Sequence, residues 1–198
     1  DPTGVQTVHG IHVYTDWTEK SILEGFEEEN RMFFLLTNSR SMTRKETREV
    51  HEQIARGVMK ASRATGKPFV IISRSDSTLR GHFPLETETL RREIERAGGQ
   101  PYDGEILCPF FCEGGRYTLG NVHYVKEGDR LVPAGETEFA RDRSFGYTHS
   151  RLDEWCEEKT GGAYPASGTT CIPLEMLREL DADGVARLLA GVHGFGKV

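Results

Sequence analysis

Short apolar runs alternate along the chain with stretches in which apolar side chains recur every three or four positions. The runs Ile11–Tyr14, Met32–Leu36, Phe69–Ser73 and Glu105–Cys108 have strand length and β-branched or aromatic character. Between them lie helical signatures. Thr18 can cap a helix through Ile22, Leu23 and Phe26 toward Asn30, with Glu27 to Glu29 on its exposed side. Thr43 and Glu46 have capping-box spacing ahead of Val50, Ile54 and Val58, and Gly66 and Pro68 end that segment. Pro84 opens a third helix with Leu85, Leu90 and Ile94 on one face, closed by Gly98 and Gly99. Strand and helix alternating in this way predict an α/β fold, a parallel sheet flanked by helices in a Rossmann-like three-layer arrangement.

Beyond Gly114 the pattern shifts. Tyr117–Leu119, Val122–Val125 and Arg130–Val132 are strand-like pieces parted by Gly120-Asn121 and Glu127-Gly128-Asp129, which predicts a β-hairpin excursion around 115–135. Ser150 is a candidate cap for a helix carrying Leu152, Trp155 and Cys156. A brief strand near Cys171 precedes helical patterns around Met176 and Val185 to Leu189.

The 198 residues carry 25 Lys and Arg against 31 Asp and Glu, a net charge of -6, so no global positive field favours nucleic acid or an anionic membrane. No apolar run approaches the roughly 18 residues of a membrane helix. The N-terminus shows no secretory signal, and the four cysteines form no Cys-x-x-Cys pair, which fits reduced thiols and a cytoplasmic location. No metal-ligating set is expected: His9 and His12 are only three apart on a strand or loop, and no His-Glu-x-x-His occurs.

In an open parallel sheet, ligands bind beyond the carboxyl ends of the strands. Three loops occupy that place: Thr37-Asn38-Ser39-Arg40, Arg74 to His82, and Glu113-Gly114-Gly115-Arg116. Each contains an arginine, whose fork binds carboxylate or phosphate through two parallel hydrogen bonds. The second loop is the densest, holding two Arg, one Asp, three hydroxyl side chains and a His before a helix start. Composition alone leaves it as either a polyol or acid pocket or a solvated turn, and it leaves the third loop as a flexible turn. Gly191 to Lys197 matches Gly-x4-Gly-Lys, but Val198 replaces the hydroxyl residue and no strand precedes it, so it is read as a chance match.

The loop Ser-Arg-Ser-Asp-Ser-Thr-Leu-Arg-Gly-His at 73–82 resembles the Asp-Ser-Thr-Leu-Arg-Gly signature of the four-carbon acid sugar kinase family. DPTGVQTVHG is similar to that family's opening Asp-Asp-x-Thr-Gly loop with its first Asp lost, and TNSR to its Ser-Arg loop. CPFFCEGGRYTLGNVHYV and PAGETEFARDRSFGY resemble later segments in the same order, up to about residue 160. The resemblance implies an ATP-dependent kinase acting on the terminal hydroxyl of a tetronate or 3-oxo-tetronate. Residues 1–198 would be its N-terminal acid-sugar-binding domain, without the first strand, and a separate C-terminal domain would bind ATP and Mg2+.

Carried over by motif, Asp1 and Asp76 are the candidate catalytic residues. Gly4, Ser39, Arg40, Ser77, Thr78, Arg80, Gly81, His82 and Glu86 are the candidate substrate-binding residues. Arg80 and Arg40 would clamp the substrate carboxylate. One of the two Asp would orient or deprotonate the attacking hydroxyl. The partners implied are a small sugar acid and the chain's own C-terminal domain, with a homodimer left open. The alternative is a non-catalytic module that binds a sugar acid without meeting a nucleotide domain.

Overall fold

The computed structural model describes residues 8–198, which fall into two compact units. The first runs up to Ser75 and takes in Gly81–Pro101; the second comprises Asp76–Arg80 and Tyr102–Val198. The chain is mixed α/β, with short parallel and antiparallel sheets.

In the first unit, β1 (Val13–Tyr14) pairs in parallel with β2 (Phe34–Leu35), and α1 (Glu19–Glu27) lies between them in sequence. The N-terminus of α1 forms where the sequence places it, because the Thr18 hydroxyl accepts from the Ser21 amide at 3.2 Å. The long helix α2 (Arg44–Thr65) starts with a complete capping box: Thr43 Oγ1 accepts from the Glu46 amide, and the Glu46 carboxylate accepts from the Thr43 amide at 2.7 Å. Gly66 ends it at φ 69°, a left-handed conformation that costs glycine least. Helix α3 (Leu85–Arg96) follows Pro84.

The core of this unit joins Ile22 and Phe26 of α1, Val50, Ile54, Ala55 and Val58 of α2, and Leu85, Leu90 and Ile94 of α3. The apolar repeat every three to four residues therefore does what it predicts, putting one face of each helix inward.

The run Phe69–Ser73 behaves differently. It joins no ladder among the described residues: Phe69 packs edge-on against Phe26 at 6.1 Å between centroids, while Val70 and Ile72 are exposed. High β-propensity reports fit to a pleated, half-buried surface and not an intrinsic preference of the backbone, so a run can carry it without joining a ladder.

In the second unit, β3 (Gly104–Glu105) pairs in parallel with β7 (Gly196–Lys197), and Leu107 N–H continues the contact to the Val198 carbonyl at 2.7 Å. The expected hairpin excursion is a three-stranded antiparallel sheet of β4 (Arg116–Leu119), β5 (Val122–Glu127) and β6 (Arg130–Pro133). Gly120 and Asn121 both take positive φ, 54° and 64°, the geometry of a two-residue hairpin turn that matches strand twist. On β5 the side chains of His123 and Val125 alternate inward.

Three helices complete the unit: α4 (Leu152–Thr160), α5 (Leu174–Arg178) and α6 (Ala182–Ala190). Ser150 does not cap α4. The N-cap is Arg151, and the Ser150 hydroxyl instead accepts from the Gly135 amide at 2.9 Å. No strand forms at Cys171 itself, although the neighbouring Thr170 amide donates to the Lys197 carbonyl at 2.9 Å. None of the described helices is long and apolar enough to cross a membrane.

Replacing Thr43 by Ala removes the hydroxyl half of the capping box and is expected to lower stability by about 1 kcal/mol. Equilibrium urea unfolding checks this, and an unchanged midpoint would contradict the cap's contribution.

Candidate functional site

The signature loop turns on itself within the second unit. The Leu79 amide donates to the Asp76 carbonyl at 2.9 Å, closing a turn over Asp76–Leu79, and Leu79 holds φ 65°. A positive φ is costly for a branched, bulky residue, so the surroundings must hold the turn in place. Leu79 itself is buried, and Thr78 is only 1% exposed.

Side chains knit the turn internally. The Asp76 carboxylate accepts from Thr78 Oγ1 and from Arg80 Nε, the latter at 2.7 Å, and Arg80 Nε also reaches Thr78 Oγ1 at 3.0 Å. Asp76, Thr78 and Arg80 thus form one charge-assisted cluster. The Arg80 guanidinium lies 4.9 Å from the centroid of the Phe139 ring, and that of Arg116 lies 5.7 Å from the same centroid. Asp142 Oδ2 stands 3.9 Å from Arg80 Nη1, a long ion pair, and Asp142 Oδ1 also accepts from the Ser144 and Phe145 amides.

Two further side chains bond the backbone of the turn. His123 Nε2 lies 2.8 Å from the Ser77 carbonyl, and the Tyr147 hydroxyl donates to the Thr78 carbonyl at 2.7 Å. The other ring nitrogen of His123 lies 3.0 Å from Thr118 Oγ1. These contacts define the tautomer: Nε2–H donates to the carbonyl, and Nδ1 accepts from the threonine hydroxyl. Burial, and then the nearby Arg116 charge, lower the His123 pKa from 6.5, against the opposing effect of the Ser77 hydrogen bond. Burial, reinforced by the Asp76 carboxylate, pushes the Tyr147 hydroxyl up to about 12, which keeps it a neutral donor.

The other predicted residues lie in the first unit or outside the described chain. Ser39 and Arg40 sit on a single 3-10 turn, Ser39–Ser41. His82 is buried, with Nε2 3.0 Å from the carbonyl of Met42, the residue that ends that turn. Gly81 has φ 140°, and a Cβ there would meet Ser75 Oγ at 2.7 Å. Glu86 is buried in the first turn of α3. Asp1 and Gly4 lie outside the described residues.

Phe139, Asp142 and Tyr147 all fall in the segment PAGETEFARDRSFGY that carries part of the resemblance, but no motif spacing assigns any of them a role. Arg116 belongs to the third loop, which composition leaves as a flexible turn, and no motif in the sequence assigns His123 a role. The inward alternation of β5 was the available signal for His123, but no spacing rule links it to a turn 46 residues earlier.

Lys197, in the phosphate-loop-like stretch, is buried in β7. Its ammonium bonds Glu105 at 2.6 Å and lies 3.8 Å and 4.1 Å from the Phe195 and Tyr164 ring centroids, an arrangement that occupies the cation structurally. Among the described residues no three His, Cys, Asp or Glu side chains gather to hold a metal ion.

The family model described as "sugar-binding N-terminal domain" matches residues 1–192. A solved structure, the Haemophilus influenzae protein HI1011 of family DUF1537, shares the fold at a TM-score of 0.59 and 13% identity. The match covers 95% of this chain and 47% of that one, so this chain spans about half the length of its structural neighbour. No curated protein matches the sequence.

His123 is expected to titrate below 6.5, followed by the chemical shifts of its ring protons. A folded-state pKa below the unfolded one means the unfolded chain binds the proton more readily. The ring's contribution is therefore fully present above pH 6.5 and is lost as pH falls through the folded value. A midpoint at or above 6.5 would contradict the buried, neutral ring.

Proposed function

The chain belongs to the sugar-binding N-terminal domain family, and from that membership we propose that it is the acid-sugar-binding part of an ATP-dependent kinase. The substrate would be a four-carbon sugar acid, a tetronate or its 3-oxo form, phosphorylated on its terminal hydroxyl. The observation that carries this reading is the Asp76–Thr78–Arg80 cluster beneath Phe139, which brings a guanidinium and a carboxylate together on one rigid turn.

Arg80 binds the substrate carboxylate. Its Nε is held by Asp76 and Thr78, and its Nη1 stands 3.9 Å from Asp142 Oδ2, a long ion pair that an incoming carboxylate can displace. Asp76 accepts hydrogen bonds from the sugar hydroxyls and orients the one that attacks. Phosphoryl transfer depends chiefly on alignment and charge neutralisation, so fixed donors and acceptors suffice on the sugar side.

Nucleotide and magnesium binding are assigned to a C-terminal domain of the complete protein. A cytoplasmic location follows as part of the same proposal.

The test is ADP release by the full-length gene product across threonate, erythronate and their 3-oxo forms. Turnover on one acid is expected, and Arg80→Ala should raise the KM for that acid about tenfold or more by removing a charge-assisted pair. An unchanged KM would overturn the assignment of Arg80. Binding of an acid without turnover would favour the non-catalytic sugar-acid module.

A further inference from the structure

We propose that His123 and Tyr147 are positioning residues that fix the Asp76–Arg80 turn and thereby set its affinity for the sugar acid; this rests on the sugar-acid reading of that turn. Within the turn the Leu79 amide donates to the Asp76 carbonyl, and the Ser77 and Thr78 carbonyls are met by side chains from elsewhere in the unit. Each receives one buried donor, at 2.8 Å and 2.7 Å, from segments 46 and 69 residues away. Both donors are themselves constrained. Thr118 fixes the His123 tautomer, and Tyr147 stays protonated through the working pH range.

The two carbonyls are consecutive, so the pair of bonds restrains the peptide planes on either side of Thr78 and leaves the turn little freedom to rotate. The position of Arg80 depends on this, because its Nε is held by Asp76 and Thr78 side chains carried on the same backbone. The strained Leu79 at φ 65° would otherwise favour relaxation of the turn. A misplacement of the guanidinium by about 1 Å is enough to cost affinity steeply.

The experiment uses the full-length gene product with Tyr147→Phe, which deletes one oxygen, together with His123→Leu and the conservative His123→Gln, whose amide can still donate to a carbonyl. Three quantities are read: KM for the preferred four-carbon acid, KM for ATP, and amide hydrogen exchange in peptides spanning 74–82. The expected result for Tyr147→Phe and His123→Leu is about a tenfold rise in acid KM, an unchanged ATP KM and faster exchange confined to the turn, with recovery in His123→Gln.

Folded Tyr147→Phe protein with wild-type acid KM and wild-type exchange would overturn the proposal, whether or not His123→Leu folds. If the wild-type protein turns over none of the acids, the kinase reading fails, and the dissociation constant for the acid, read together with exchange, takes the place of its KM. Faster exchange confined to the turn upholds the positioning role, and unchanged exchange overturns it.

Discussion

A buried turn must find a hydrogen-bond partner for every backbone group it removes from water, and the Asp76–Arg80 segment meets that demand with side chains from distant parts of its unit. An unpaired buried carbonyl costs roughly 1–3 kcal/mol, comparable to the penalty of holding a leucine at positive φ. The His123 and Tyr147 bonds to Ser77 and Thr78 therefore decide whether this turn exists in its observed form. The three-stranded antiparallel sheet supplies one of them, so the β excursion is part of the site's frame.

The same turn collects opposite charges at short range. Arg80 is drawn to Asp76 at 2.7 Å and more weakly to Asp142 at 3.9 Å, and its plane is backed by the Phe139 ring. Partial burial of the pair strengthens these attractions over those of a solvated ion pair. An arginine held this way loses little further rotamer freedom when it binds a carboxylate, and that lowers the entropic cost of recognition. Lys197 shows the contrasting use of a cation. Fully buried against Glu105 and two aromatic rings, it stabilises the C-terminal strand and is not available to a phosphate.

Local signals in the sequence read out accurately where local physics governs. Thr18, Thr43 with Glu46, and Gly66 cap their helices as their side chains dictate, and Gly120-Asn121 makes the tight turn its positive φ values require. The signature motif also held together: Asp76, Thr78 and Arg80 bond one another across spacings of two and four residues. What the sequence could not show depends on partners far along the chain. Phe69–Ser73 carries the composition of a strand but joins no ladder among the described residues, and the Ser150 hydroxyl accepts from the Gly135 amide instead of capping the helix it precedes. His123, Phe139 and Tyr147 acquire their meaning only when the fold brings them to the turn. The roles of Asp1 and Gly4 lie outside the described residues.

The central claim is that the fixed guanidinium of Arg80 receives the acid group of a sugar acid. A crystal structure of the full-length gene product soaked with its preferred four-carbon acid tests it most directly. The account predicts the ligand carboxylate within about 3 Å of the Arg80 guanidinium, with the Ser77 and Thr78 carbonyls still bonded to His123 and Tyr147. An acid bound with its carboxylate away from Arg80, or a turn that abandons those two bonds on binding, would contradict it.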